Sequence, residues 1–327
     1  MSEPATGFEP PPFRARAPWW GADLQTLRNT LVDQGTPLPG ERLLIDTADG
    51  CGDRLQAVVN RPDAPEDKPL VFMVHGLSGC EDSAYMLHAA RHWLDRGHAV
   101  MRLNLRGAGP SRRTCKTHFH AGRSEDIAAG LDAVPADLAA RGIFAIGFSI
   151  GGNCLLKHAG EAGDRTPVRA FAAVSAPIDM VATSAHIGRP RAWPYQRFLL
   201  TRFVAECLGE GALFSAEERE ILRRARDFRE LDDRFVAPRH GFDGVDDYYR
   251  RARAINVMAG IRRPTLVLHA KDDPVVPAAS LAAYDWAQNR MLTPLVTPAG
   301  GHVGFHARDG AWHLTALDRF FRAATVG

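Results

Sequence analysis

The sequence predicts an α/β fold: a mostly parallel central sheet flanked by helices, with one helical insertion. Three observations carry this. Short, continuously apolar runs recur at 70–74, 99–103, 143–146, 170–174, 265–268 and 292–297, as expected of strands buried on both faces of a parallel sheet. Helical patterning follows most of them, at 84–96, 124–141, 153–159, 278–288 and 311–322, and that alternation implies a doubly wound sheet. Between Pro177 and Pro264 the alternation stops, leaving amphipathic stretches at 195–208 and 215–228 and no strand.

The first 40 residues carry many prolines and little periodicity, and read as an arm laid over the surface. Two apolar runs, 43–45 and 55–59, flank the turn-rich Asp49-Gly50-Cys51-Gly52-Asp53 and predict an opening hairpin. Pro135 should kink or break the segment 124–141. Ser215 followed by Glu218 fits a capping box at a helix start. The expected division is an arm (1–40), a core (41–176 and 264–327) and a helical cap (177–263), together one structural domain. The cap is expected over the active site, because loops at the carboxyl ends of parallel strands surround the ligand crevice.

Composition narrows the function classes. The chain has 327 residues, 45% hydrophobic and 24% charged, enough apolar material for a sizeable core. A net charge of +2 and a pI of 8.3 argue against nucleic-acid binding, which goes with clustered basic surface and a pI above about 9. The five cysteines are scattered without a CxxC pair, which disfavours a disulfide framework or zinc site and favours a reducing compartment. Residues 1–18 hold no apolar signal core, and no stretch approaches the roughly 18 apolar residues of a membrane span. A cytoplasmic protein is expected, with no cofactor and no metal.

The chemistry concentrates in four segments. Gly147-Phe148-Ser149-Ile150-Gly151 is a G-x-S-x-G motif between a buried strand and a helix, the context in which that motif forms a nucleophile elbow. Gly147 and Gly151 allow the tight turn, and Ser149 is the expected nucleophile. A serine hydroxyl needs an adjacent base. His302, in the small-residue loop Gly300-Gly301-His302-Val303-Gly304 after the last strand, is the candidate, with His306 as fallback. The acid should follow the run 265–268, where Asp272 and Asp273 compete. Asp273, directly before Pro274-Val275-Val276-Pro277, is preferred, and Asp179 is a more distant choice. Two oxyanion donors are expected: the N–H of Ile150, after the nucleophile, and that of Leu77 in His75-Gly76-Leu77-Ser78-Gly79. Gly76 lets the backbone approach, and His75 is read as a brace for the loop.

Other signals count for less. Arg106-Gly107-Ala108-Gly109 lacks the third glycine of a dinucleotide site. His118 and His120 have no accompanying ligand cluster. The pair Trp19-Trp20 is read as anchoring the arm.

Taken together, these segments resemble the YheT-like branch of the α/β hydrolases. The similar strings are His75–Gly79, the elbow continuing to Gly152-Asn153, Ala270-Lys271-Asp272-Asp273-Pro274, Gly300–Phe305, Asp23-Leu24-Gln25-Thr26-Leu27 and Gly241-Phe242 leading to Asp247-Tyr248-Tyr249. Family members often carry Pro-His before Leu-Gln-Thr, where this chain has Ala22-Asp23. The resemblance implies an α/β-hydrolase fold and hydrolysis of carboxylic esters, including lipid esters. The residues themselves point to a serine esterase working through an acyl-enzyme, and the resemblance implies a small-molecule or lipid ester, of short- to medium-chain acyl type, as its substrate. An acyltransferase or thioesterase with the same triad is the alternative, and a non-catalytic binding protein of this fold ranks below both. Cap residues Phe198, Leu199, Leu200 and Phe203 would suit an apolar acyl chain or simply fill the core.

Overall fold

The computed structural model describes residues 7–32, 37–63 and 67–326. Eight strands form one sheet: β1 (Glu41–Asp46), β2 (Arg54–Asn60), β3 (Leu70–Val74), β4 (Val100–Asn104), β5 (Ile143–Phe148), β6 (Val168–Val174), β7 (Thr265–Ala270) and β8 (Leu292–Thr297). Their spatial order is β1-β2-β4-β3-β5-β6-β7-β8. The opening hairpin β1–β2 is antiparallel, β2 is antiparallel to β4, and every other pairing is parallel.

Successive side chains on a strand point to opposite faces, so each apolar run feeds two cores. Phe72 and Val74 join Leu103, Ala145 and Phe171 on one side, while Val71 and Met73 join Ile146, Phe148 and Leu268 on the other. Burying one such large side chain contributes about 1.5–3 kcal/mol. The first face is covered by the helices Ser124–Asp132 and Ile150–Ala162, through Ile127, Leu131, Leu155 and Leu156. The second is covered by Ala84–Leu94 and Trp312–Val326, through Met86, Trp93, Leu317 and Phe320.

Three elements depart from the sequence reading. β8 is an edge strand whose Pro294 and Val296 are exposed, so it is not buried on both faces; an edge is where a strand tolerates proline. The expected helix 278–288 stops at Ala282, and Asp285 opens a separate 3₁₀ turn by accepting the Ala287 N–H at 3.1 Å. The stretch 215–228 holds one helix, Ala216–Arg224, and the start of another, Phe228–Leu231; a capping box in which Ser215 and Glu218 exchange bonds of 3.1 and 2.7 Å opens the first. As expected, the segment 124–141 breaks, with Pro135 leading into the turn Ala136–Ala139.

The arm does more than lie over the surface. Gly21–Leu31 is a helix whose Gln25 is wholly buried. The Gln25 amide donates to the Trp19 and His306 carbonyls at 2.6 and 3.0 Å, and its oxygen accepts the His306 N–H at 2.6 Å. Leu24, Leu27 and Leu31 stay largely exposed, so the apolar periodicity that marks a packed helix is inverted here. Trp20 is 63% exposed, and Trp19 lies under the Arg28 guanidinium; the anchor is Gln25, not the tryptophan pair.

One charged cluster lies inside the first face. Arg106, 2% exposed at its side chain, pairs with Asp126 at 2.6 Å and Asp53 at 3.2 Å, both buried, and with Asp49 at 2.8 Å. The carboxylates hold its guanidinium charged despite burial. Removing one member of a buried pair strands the other charge. Arg106→Leu should therefore lower the unfolding free energy in urea by about 3–5 kcal/mol, whereas a loss below about 1 kcal/mol would contradict this account.

Candidate active site

β5 ends at Phe148, and the helix Ile150–Ala162 begins two residues later. Ser149 makes that turn at φ 50° and ψ −125°, a conformation costly for a residue with a side chain. Two glycines admit it. A Cβ on Gly147 would lie 2.6 Å from the Gly151 carbonyl oxygen, and one on Gly151 would lie 2.2 Å from that of His75. The Ser149 N–H donates to the Val174 carbonyl at 2.9 Å, which fixes the turn to β6.

His302 arrives from the loop after β8. Its Nε2 lies 2.9 Å from the Ser149 Oγ and its Nδ1 lies 2.8 Å from an Asp273 carboxylate oxygen. A carboxylate facing Nδ1 places the proton there and leaves Nε2 to accept from the hydroxyl. Asp273 follows β7 and is fully buried at its side chain; its other oxygen accepts the N–H groups of Val275 and Val276 at 2.8 and 2.9 Å. Burial alone would raise the Asp273 pKa, but the adjacent His302 and the Val276 N–H outweigh it and hold the carboxyl below the usual range. Asp272 does not meet His302; it accepts the Gly301 N–H at 2.9 Å.

The His302 loop is held from outside the sheet. Its backbone takes positive φ at Gly301 (60°), Val303 (55°) and Phe305 (49°). The His302 N–H donates to the Thr26 hydroxyl at 2.9 Å and the Val303 N–H to Ser175 at 3.1 Å. Thr26 itself donates to the Ala22 carbonyl at 2.7 Å. Gln25 and Thr26 were not singled out chemically from the sequence; the family-like string Asp23–Leu27 was the available signal. Asp23, at the departure from the family pattern, accepts from the Tyr195 hydroxyl and from Arg191, both at 2.5 Å, tying the arm helix to the helical stretch after β6.

Leu77 and Ile150 border the same space as Ser149, and neither backbone N–H has an acceptor among the described residues. His75 is wholly buried, and its ring nitrogens bond to this loop and to Leu105, not to Ser149. Its Nε2 accepts the Leu105 N–H at 3.0 Å, so its Nδ1 donates to the Gly76 carbonyl at 2.7 Å, and burial depresses its pKa. The remaining candidates lie elsewhere. His306 faces Arg28, and Asp179 caps the helix Met180–Ile187. His118 meets Glu206 at 3.3 Å, while the His120 ring lies 4.7 Å from that of His240, inclined to it at 57°. Among the described residues no group of His, Cys, Asp or Glu could hold a metal ion, and no helix is long and apolar enough to cross a membrane.

A cavity of about 350 Å³ opens above Ser149 and His302. Its walls come from the Gly76–Tyr85 loop, from the arm helix through Thr26 and Leu27, and from the 177–263 stretch. That stretch contributes Met180, Ile187, Phe198, Leu199 and Phe203, whereas Leu200 is packed in the core. A polar feature interrupts these apolar walls: Asp232, which accepts the Tyr249 hydroxyl at 2.7 Å. Burial pushes the Asp232 carboxyl up to about 7.

Residues 69–309 match the alpha/beta hydrolase fold family. Among curated proteins, the chain is 30% identical to the putative esterase YheT of Escherichia coli, over 75% of this chain and 72% of that one. It is 29% identical to mouse phospholipase ABHD3, over 93% and 75%. Among solved structures, an esterase of Pyrococcus furiosus superposes with a TM-score of 0.58 over 96% of this chain and 97% of that one, at 18% identity. Est1E of Butyrivibrio proteoclasticus, solved with ferulic acid, gives 0.54 over 87% and 100%, at 19% identity. The chain belongs to the α/β hydrolase family, in its YheT-like branch.

Proposed function

We propose that the protein is a serine hydrolase of carboxylic esters that works through an acyl-enzyme. The observation that carries this reading is the continuous relay from Ser149 Oγ through His302 to the buried Asp273, with bonds of 2.9 and 2.8 Å. His302 Nε2 takes the hydroxyl proton as Ser149 attacks the acyl carbonyl, and Asp273 steadies the imidazolium that results. The N–H groups of Leu77 and Ile150 receive the negative oxygen; each such donor is worth about 3–4 kcal/mol in the transition state. His302 then protonates the departing alcohol, takes a proton from water, and returns it to Ser149 when the acyl group leaves. Asp272 holds the loop through Gly301, and His75 braces the Leu77 loop.

The named activities of similar proteins support the ester class: esterase, phospholipase and, in Saccharomyces cerevisiae, monoacylglycerol lipase (28% identical, over 80% of this chain and 62% of that one). The apolar walls around Ser149 suit an acyl chain, and residues 177–263 act as the cap that encloses it. A yeast relative named as both synthase and esterase of medium-chain fatty acid ethyl esters, 30% identical, keeps acyl transfer to an alcohol as the second reading.

Labelling with a fluorophosphonate and turnover of esters of rising acyl length test the reading. Ser149→Ala should abolish labelling, and Asp273→Asn should lower kcat by about 10⁴-fold. Asp272→Asn should lower it far less; the reverse ranking would exchange the two roles. Thr26→Val keeps the shape but removes the acceptor for the His302 N–H, so kcat should fall about tenfold with KM little changed. An unchanged kcat would show that the arm helix does not position the base.

A further inference from the structure

A second cavity, of about 400 Å³, lies between the arm helix, the helix Ala84–Leu94 and the start of Trp312–Val326. It shares only Asn29 and Tyr85 with the cavity above Ser149. Four arginines and four histidines line it, Arg16, Arg28, His92, His306 and His313 among them. Among the described residues, the carboxylates that line it are those of Asp95 and Asp309, both on exposed residues.

The inner groups lack hydrogen-bond partners. His313 and His306 are 3% and 5% exposed. Both ring nitrogens of His313, Nε2 of His306, Nε2 of His92 and Nε of Arg28 are buried with no hydrogen-bond partner. Buried polar groups are rarely left this way in folded proteins, and a cluster of them calls for an explanation. Arg28 stacks on Trp19 and reaches only the His306 ring, at 3.5 Å. Neither Arg16 nor Arg28 is paired with a carboxylate among the described residues. Burial and the neighbouring Arg28 and Arg16 push His306 down to about 3, and burial with His306 does the same to His313. The cavity therefore sets the Arg16 and Arg28 guanidinium groups beside neutral imidazoles that can each present an N–H, while Arg96 is paired with Asp318 at 3.7 Å.

We propose that this cavity binds a phosphate-type oxyanion. A tetrahedral group offers several acceptor oxygens in different directions, which Arg16 and Arg28 can engage through forked N–H pairs. The imidazole N–H groups of His306 and His313 supply further donors. The cavity exceeds one phosphate in volume, leaving room for the group that carries it. The site stands apart from the ester-cleaving reading, since none of its donors belongs to the Ser149 relay.

Titration of the full chain with inorganic phosphate, in chloride of matched ionic strength, tests the site by calorimetry and by the histidine C2–H resonances. A single saturable event is expected, with shifts centred on His92, His306 and His313. Arg16→Gln and Arg28→Gln should each weaken it about tenfold. Glycerol phosphate and phosphatidate-containing phosphatidylcholine vesicles distinguish the sources: a soluble phosphomonoester competes with phosphate in solution, whereas a lipid headgroup makes the protein sediment with the vesicles. Either result supports the oxyanion site if Arg16→Gln weakens it. Absence of saturation beyond the chloride control, or binding without those histidine shifts, would overturn it even if the variants failed to fold.

Discussion

An imidazole suspended between two oxygens, 2.9 Å from Ser149 and 2.8 Å from Asp273, is the constraint on which the site depends. Each oxygen belongs to a different strand end, β5 and β7, and the imidazole to the loop after a third, β8. The parallel sheet brings those ends to one edge, and its doubly buried strands give them little freedom to shift. The tightest turn, at Ser149, needs two glycines because neighbouring backbone occupies the space their side chains would fill.

The His302 loop has no such rigid frame of its own. It contains several residues at positive φ and depends on hydrogen bonds from the arm helix and from Ser175. Gln25 shows how this is done at low polar cost. A buried amide is expensive unless satisfied, and here both ends of the amide are engaged, with the two bonds to His306 forming a short mimic of strand pairing. Asp23 extends the same helix toward Tyr195 and Arg191, so one element touches the histidine loop and the cavity wall.

Much of this was legible in the sequence, because the apolar runs and the elbow glycines answer to local rules. The six parallel or mixed strands lie where continuous apolarity placed them, and Pro135 breaks its helix. What escaped depends on tertiary context. β8 has the composition of a buried strand but lies at an edge. The helix Gly21–Leu31 turns its leucines outward and a glutamine inward, the reverse of the pattern that reveals a packed helix. The choice between Asp272 and Asp273 rested on the following prolines, and the geometry separates them by which one meets the imidazole and which one meets Gly301. The pairing of distant histidines with arginines around the second cavity has no sequence signature at all, since its members come from three separated segments.

The bonds between Gln25, Thr26 and the His302 loop span some of the longest separations in the chain, up to 281 residues. A ribosome releases the elbow serine long before it releases the loop, and the arm must wait for that loop before its glutamine, already bonded to the nearby Trp19 carbonyl, gains its two bonds to His306. Joining the arm helix to the His302 loop therefore has to follow synthesis of both segments. Under the proposed relay, a chain cut short of His302 keeps the elbow serine but lacks its base.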